Sequence, residues 1–244
     1  MYLCTLTHYK MTNTGKIELM APAGNFESLQ AAIDNGADSV YFGVDQLNMR
    51  ARASINFTIA DLDEIARRCA PKGIRTYLTL NTIIYDHDLS IIKTLLDAAK
   101  KAGLTAVIAM DQAVIAYARQ IGMEVHISTQ INITNIETVR FYAMFADTMV
   151  MSRELSLRQI KKICEQIEKE QIKGPSGSLV EIEIFGHGAL CMAVSGKCYL
   201  SLHSHNSSAN RGACKQNCRK KYTVIDQESG FEIELDNEYM MSPR

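Results

Sequence analysis

Four cysteines late in the chain, Cys191, Cys198, Cys214 and Cys218, are the residues whose type and spacing point most directly at chemistry. They fall as C-x6-C-x15-C-x3-C, in loops of glycine, serine and small apolar residues. Four thiols can hold metal, pair with one another, or stand idle. Zinc ribbons and knuckles set two cysteines two residues apart, because a tight turn must aim both thiolates at one tetrahedral ion. Neither pair here has that spacing. A cubane cluster is larger and takes one thiolate per iron from several directions. Gly188, Gly196 and Gly212 would let the backbone pass close to such a group. The order of preference is a [4Fe–4S] cluster, then zinc, then four unrelated thiols.

The surrounding charge narrows the reading. From Ile184 to Ile225 there is no Asp or Glu, while Lys197, Arg211, Lys215, Arg219, Lys220 and Lys221 all fall within the span. Cations there would offset the negative charge of a thiolate-bound cluster. Alternatively, or as well, the basic run Lys215, Arg219, Lys220 and Lys221 faces a nucleic-acid phosphate backbone. The chain as a whole has a net charge of only −1, so nucleic-acid binding must rest on this local patch.

The elements that position these loops follow a strand-then-helix rhythm. KIELMAPAG, SVYFG, IRTYLTLN, TAVIAMD, MEVHISTQ, DTMVMS and VEIEIF read as seven strands, each but the last followed by a helical pattern. Cys69 and Cys164 lie on apolar helical faces and read as core. Alternation of this kind implies a parallel sheet with helices outside. A TIM-barrel-like α/β fold is expected, ahead of a doubly wound sheet, because no G-x-G-x-x-G follows the first strand. Residues 1–15 read as a leader, 16–185 as the barrel portion, and 186–244 as a Cys-rich segment ending in a hairpin around Ser229–Gly230. The chain stops one βα unit short of eight, so a truncated barrel is expected.

In such a fold the polar residues after each strand share one mouth. Arg50 and Arg52 follow the second strand, Arg153 the sixth and His187 the seventh. Three guanidiniums there would suit a small dicarboxylate, and this is the expected substrate-binding set. The catalytic residues themselves are not marked. No H-E-x-x-H or G-x-S-x-G is present, although His187 and Cys191 leave a Cys–His hydrolase conceivable.

No apolar run approaches the ~20 residues that cross a bilayer. The N-terminus lacks the basic start and apolar core of a signal peptide. The chain is expected in the cytoplasm, away from membranes, where its seven cysteines stay reduced.

EIFGHGALCMAVSGKCYLS resembles the signature of the U32 "peptidase" family, with Glu183, Phe185, Gly188, Ala189, Leu190, Cys191, Gly196, Cys198, Leu200 and Ser201 at the positions that pattern wants. ELMAPAGNFESL, NGADSVYFG, STQ, MSRELSL and SANRGACKQNCRKKY resemble its other blocks, so the likeness covers residues 16–244. The family is named for a collagenase activity, but its best understood members are RNA hydroxylases acting on a tRNA uridine or a 23S rRNA cytidine. TYLTLNTIIYDHDL and SANRGACKQNCRKKYTV look nearest to the rRNA branch, with the tRNA branch next. The resemblance implies a [4Fe–4S] cluster on Cys191, Cys198, Cys214 and Cys218, an rRNA or tRNA partner, and prephenate as a possible co-substrate. A peptidase and a non-catalytic RNA-binding scaffold are the alternatives.

Overall fold

The computed structural model describes residues 2–6, 17–44, 47–48, 57–188 and 191–235. It contains β1 (Tyr2–Leu6), β2 (Glu18–Pro22), α1 (Phe26–Asp34), β3 (Ser39–Gly43), α2 (Leu62–Cys69), β4 (Arg75–Leu80), α3 (Leu89–Lys101), β5 (Ala106–Ala109), α4 (Gln112–Gln120), β6 (Glu124–Ile127), α5 (Ile136–Ala143), β7 (Thr148–Val150), α6 (Leu157–Glu170) and β8 (Glu181–His187). A short helix, α7 (Leu200–His205), and a hairpin of β9 (Tyr222–Ile225) and β10 (Glu232–Leu235) follow.

The seven expected strands are β2 to β8, each parallel to the next. Their outward side chains and the apolar helix faces make one core, in which Val40, Leu78, Val107, Val125 and Met149 meet Leu29, Ile65, Leu95, Val114 and Ile163. Cys69 is fully buried there and Cys164 packs against it. Burial pushes both thiols up to about 11, so they stay neutral and unreactive.

A seven-stranded parallel sheet leaves two open edges, whose unpaired amides and carbonyls invite further pairing. Here β1 fills the gap. It runs antiparallel to both neighbours, with Leu3 opposite Met20 of β2 and Phe185 of β8, and the barrel closes. Part of the stretch read as a leader is thus a barrel strand. The eighth place in the ring goes to this antiparallel strand.

Candidate metal centre

The two cysteine pairs sit on separate loops, and different elements hold each one. The first loop, between β8 and α7, carries Cys191 and Cys198. Arg153, three residues past β7, donates to the carbonyls of Cys191 and Ala193, each at 3.1 Å, and to Ser195 Oγ at 2.7 Å. Asn132, beyond β6, adopts φ 59° and donates through Nδ2 to the carbonyls of Gln130 at 2.7 Å and Ser195 at 2.8 Å. Gly196 crosses directly above Gln130. Its φ is +72°, and an added Cβ would fall 3.1 Å from Gln130 Cβ, so a side chain is disfavoured on both counts.

The second loop carries Cys214 and Cys218. Arg211 anchors it by donating to Asp88 at 2.5 Å and 3.3 Å and to the Ile83 carbonyl at 2.8 Å, with its guanidinium 4.4 Å from the Tyr85 ring centre. The Ile83 amide returns a bond to the Asn210 carbonyl. Arg211 holds the Asp88 carboxyl below its ordinary pKa, against the opposing effect of burial. Buried Ser201 ties the two loops through α7, its Oγ accepting from the Lys215 amide at 3.0 Å. The Gln216 amide donates to Cys214 Sγ at 3.3 Å, the kind of N–H···S contact that stabilises a thiolate ligand.

The six cysteines Cys69, Cys164, Cys191, Cys198, Cys214 and Cys218 are all free. The Cys218 thiol is raised, first by burial and then by the charges of Cys191, Cys214 and Cys198, with Arg219 opposing. Cys218 is thus the thiol on which the other three act. Among the described residues, however, no three His, Cys, Asp or Glu side chains converge as tightly as a single metal ion requires.

The other expected site residues divide. Lys215, Arg219, Lys220 and Lys221 are exposed beside the second loop. His187 ends β8 and is exposed. Arg153 was expected to face a carboxylate, but its fork holds loop carbonyls, because an irregular loop has no strand partner to satisfy them. Arg50 and Arg52 lie outside the described residues. Several polar strand ends serve as caps. Asn25 closes a capping box with Ser28, and Asp111 caps α4.

The barrel interior holds a charged group that no sequence motif marks. His126 and Glu183 are buried, with Nδ1 to Oε2 at 3.7 Å, and His126 Nε2 meets Glu124 at 3.1 Å. Tyr77 stacks on His126 at 4.5 Å and donates to Glu18, which pairs with Arg75. The alternation in EVHIS and EIEIF, polar residues on every second position, was the available signal.

Fold and site together define a TIM-barrel-like α/β protein with four free thiols on two loops tied to its strand ends and to each other. The chain belongs to peptidase family U32, whose profile matches residues 24–244. It is 57% identical to a collagenase of Porphyromonas gingivalis, over 95% of this chain and 56% of that protein. It is 40% identical to the uncharacterized protease MJ0090 of Methanocaldococcus jannaschii, over 93% and 55%. It is 35% identical to the 23S rRNA 5-hydroxycytidine C2501 synthase of Escherichia coli, over 87% and 31%. The relatives with protease names are thus nearer than this RNA hydroxylase, which corrects the branch expected from the quoted blocks. The chain spans about half the length of the first two relatives. Among solved structures, the U32 peptidase Mk0906 aligns with a TM-score of 0.52 at 13% identity, over 66% of this chain and 69% of that one, a likeness of fold alone.

Proposed function

We propose that this chain supplies the barrel and thiol-bearing segment of a U32 enzyme in which Cys191, Cys198, Cys214 and Cys218 hold a [4Fe–4S] cluster, and that the enzyme hydroxylates RNA. What supports this reading is that two loops, each bearing two of the four free cysteines, are anchored to the strand ends and tied to each other through Ser201 and Lys215. When bound, the cluster would supply one-electron chemistry. The chain's own residues do the rest. Arg153 and Asn132 fix the loop of Cys191, Arg211 and Asp88 fix the loop of Cys214, and the Gln216 amide steadies the Cys214 sulfur. Lys215, Arg219, Lys220 and Lys221 present positive charge beside the centre, where an rRNA or tRNA backbone would lie. A prephenate-like co-substrate would draw on Arg50 and Arg52. The compartment we assign is the cytoplasm, and no helix among the described residues is long and apolar enough to cross a membrane.

A second reading is a peptidase of the collagenase type, and the names of the relatives at 57% and 40% identity favour it. A cysteine nucleophile works as a thiolate. The thiols whose pKa moves, Cys69, Cys164 and Cys218, all move up.

The deciding experiment is anaerobic purification of the whole protein, with iron and sulfide assays. Nucleoside mass spectrometry of RNA with and without the gene, and peptide release from collagen, accompany it. Iron, sulfide and a lost RNA hydroxyl support the main reading. Stoichiometric zinc with released peptide overturns it, and RNA binding with neither iron nor chemistry would make the protein a scaffold.

A further inference from the structure

The interior of a TIM barrel is ordinarily filled by layers of apolar side chains. Here Met20, Ile108 and Val150 share it with Glu18, Arg75, Glu124, His126 and Glu183. Burying a carboxylate away from water is costly unless an opposite charge faces it. Glu183 is 0% exposed, and neither of its oxygens has a hydrogen-bond partner among the described residues. What faces it is the His126 ring, 3.7 Å away, an ion pair too long to be a hydrogen bond.

The position of this pair relates it to the thiol loops. His126 lies on β6 and Glu183 on β8, with β7 between them, Thr148 opposite His126 and Val150 opposite Glu183. The same three strands carry the first cysteine loop and both of its anchors. Asn132 follows β6, Arg153 follows β7, and Cys191 and Cys198 follow β8. Those anchors meet the loop at the Ser195 carbonyl, at Ser195 Oγ and at the carbonyls of Cys191 and Ala193. The loop is therefore linked to β6 and β7 through Asn132 and Arg153 and to β8 by the chain itself.

We propose that the buried His126–Glu183 pair is a brace that positions the thiol centre. It holds β6 and β8, across β7, at the spacing at which Asn132 and Arg153 can both grip the cysteine loop. This rests on the reading of the four cysteines as one centre. His126 and Glu183 are positioning residues and touch no reacting atom. The charged and titratable groups around the imidazole are Glu124 on its own strand, Glu183 on β8, Arg75 and Tyr77 on β4, and Glu18 on β2. Burial pulls the His126 pKa down, but the Glu124 and Glu183 carboxylates outweigh it and push it up to about 9. The brace is therefore charged at neutral pH and weakens in alkali.

The test is hydrogen–deuterium exchange, read by peptide, on the wild type, Glu183→Gln, the double variant His126→Gln with Glu183→Gln, and Tyr77→Phe. Iron content is measured on the same anaerobic samples. Glu183→Gln should strip protection from residues 128–132 and 191–198 by about tenfold, the factor equivalent to one pKa unit of coupling. The helices α1 to α3 should keep theirs. In the wild type, after correction for intrinsic exchange, protection of 191–198 should fall as pH passes about 9, and the double variant should lose that step. Tyr77→Phe keeps the ring that packs on His126 and removes only the hydroxyl's bond to Glu18, and should leave the loop unchanged. Unchanged protection of 191–198 in Glu183→Gln, or equal loss in every helix, overturns the brace. Should Glu183→Gln fail to fold, the wild-type pH series decides, and the absence of a step overturns the proposal. Iron separates the two readings: with the exchange result as expected, a wild type lacking iron keeps the brace and removes the cluster.

Discussion

Arg153 holds the Cys191 carbonyl at 3.1 Å across 38 residues of sequence. The same guanidinium reaches Ala193 and Ser195, so one side chain sets three points of the loop. A lysine has a single ammonium and cannot reproduce that planar fork. Arg153→Lys should therefore weaken metal retention by about 10- to 100-fold, as loss of an outer-shell partner does, with the barrel's thermal transition still in place. Iron per chain against increasing chelator checks it. Retention equal to wild type would show that the loop positions itself.

The cysteines themselves separate into two sets. Cys191→Ala and Cys198→Ala should abolish iron content and brown colour. Cys69→Ala and Cys164→Ala should keep both and cost about 1 kcal/mol of stability, the ordinary effect of a core substitution. Those two thiols pack in the helix–barrel core and stay neutral. Full iron in Cys191→Ala would remove it from the ligand set.

The seven parallel strands were legible because each run of apolar residues is bounded by turn residues and, up to the last, followed by a helical period. Strand β1 was not, because YLCTL is short and its role depends on pairing with Phe185, far along the chain. The four cysteines stand out as candidates by type and spacing. Their anchors do not. Arg211 with Asp88, and Asn132 with Ser195, are contacts between loops that only the closed barrel brings together. Arg153 illustrates the limit most clearly: a strand-end arginine suggests an anion, and only the folded loop reveals carbonyls as its partners. That the protease-named relatives are nearer than the RNA hydroxylases was not legible either, since blocks shared across a family cannot order its members.

The exposed cations Lys215, Arg219, Lys220 and Lys221 bear on the choice of substrate. Neutralising them should weaken RNA binding and flatten its salt dependence by about 0.7 in logarithmic slope per lost contact with a single strand. Binding isotherms at several salt concentrations read this directly. An affinity for RNA that is the same at low and high salt would exclude this surface and leave the peptidase reading the stronger.

Stability should depend on pH at both ends of the range, through different pairs. His126 has a folded pKa raised above its ordinary 6.5 to about 9. Its contribution is fully present below about 6.5 and is lost as pH rises through about 9. A shift of that size in a fully buried group corresponds to about 3 kcal/mol. Asp88 behaves in the opposite sense. Arg211 depresses its pKa, so its contribution is present above the ordinary 3.8 and is lost as pH falls through the depressed value. Urea midpoints across the pH range check both limbs. In His126→Gln the protein should be less stable at neutral pH, because Glu124 and Glu183 lose their shared cation, and its alkaline decline should flatten. In Asp88→Asn the acid limb should flatten and the alkaline limb remain. An alkaline decline of undiminished size in His126→Gln would mean that another group, and not the buried imidazole, governs stability there.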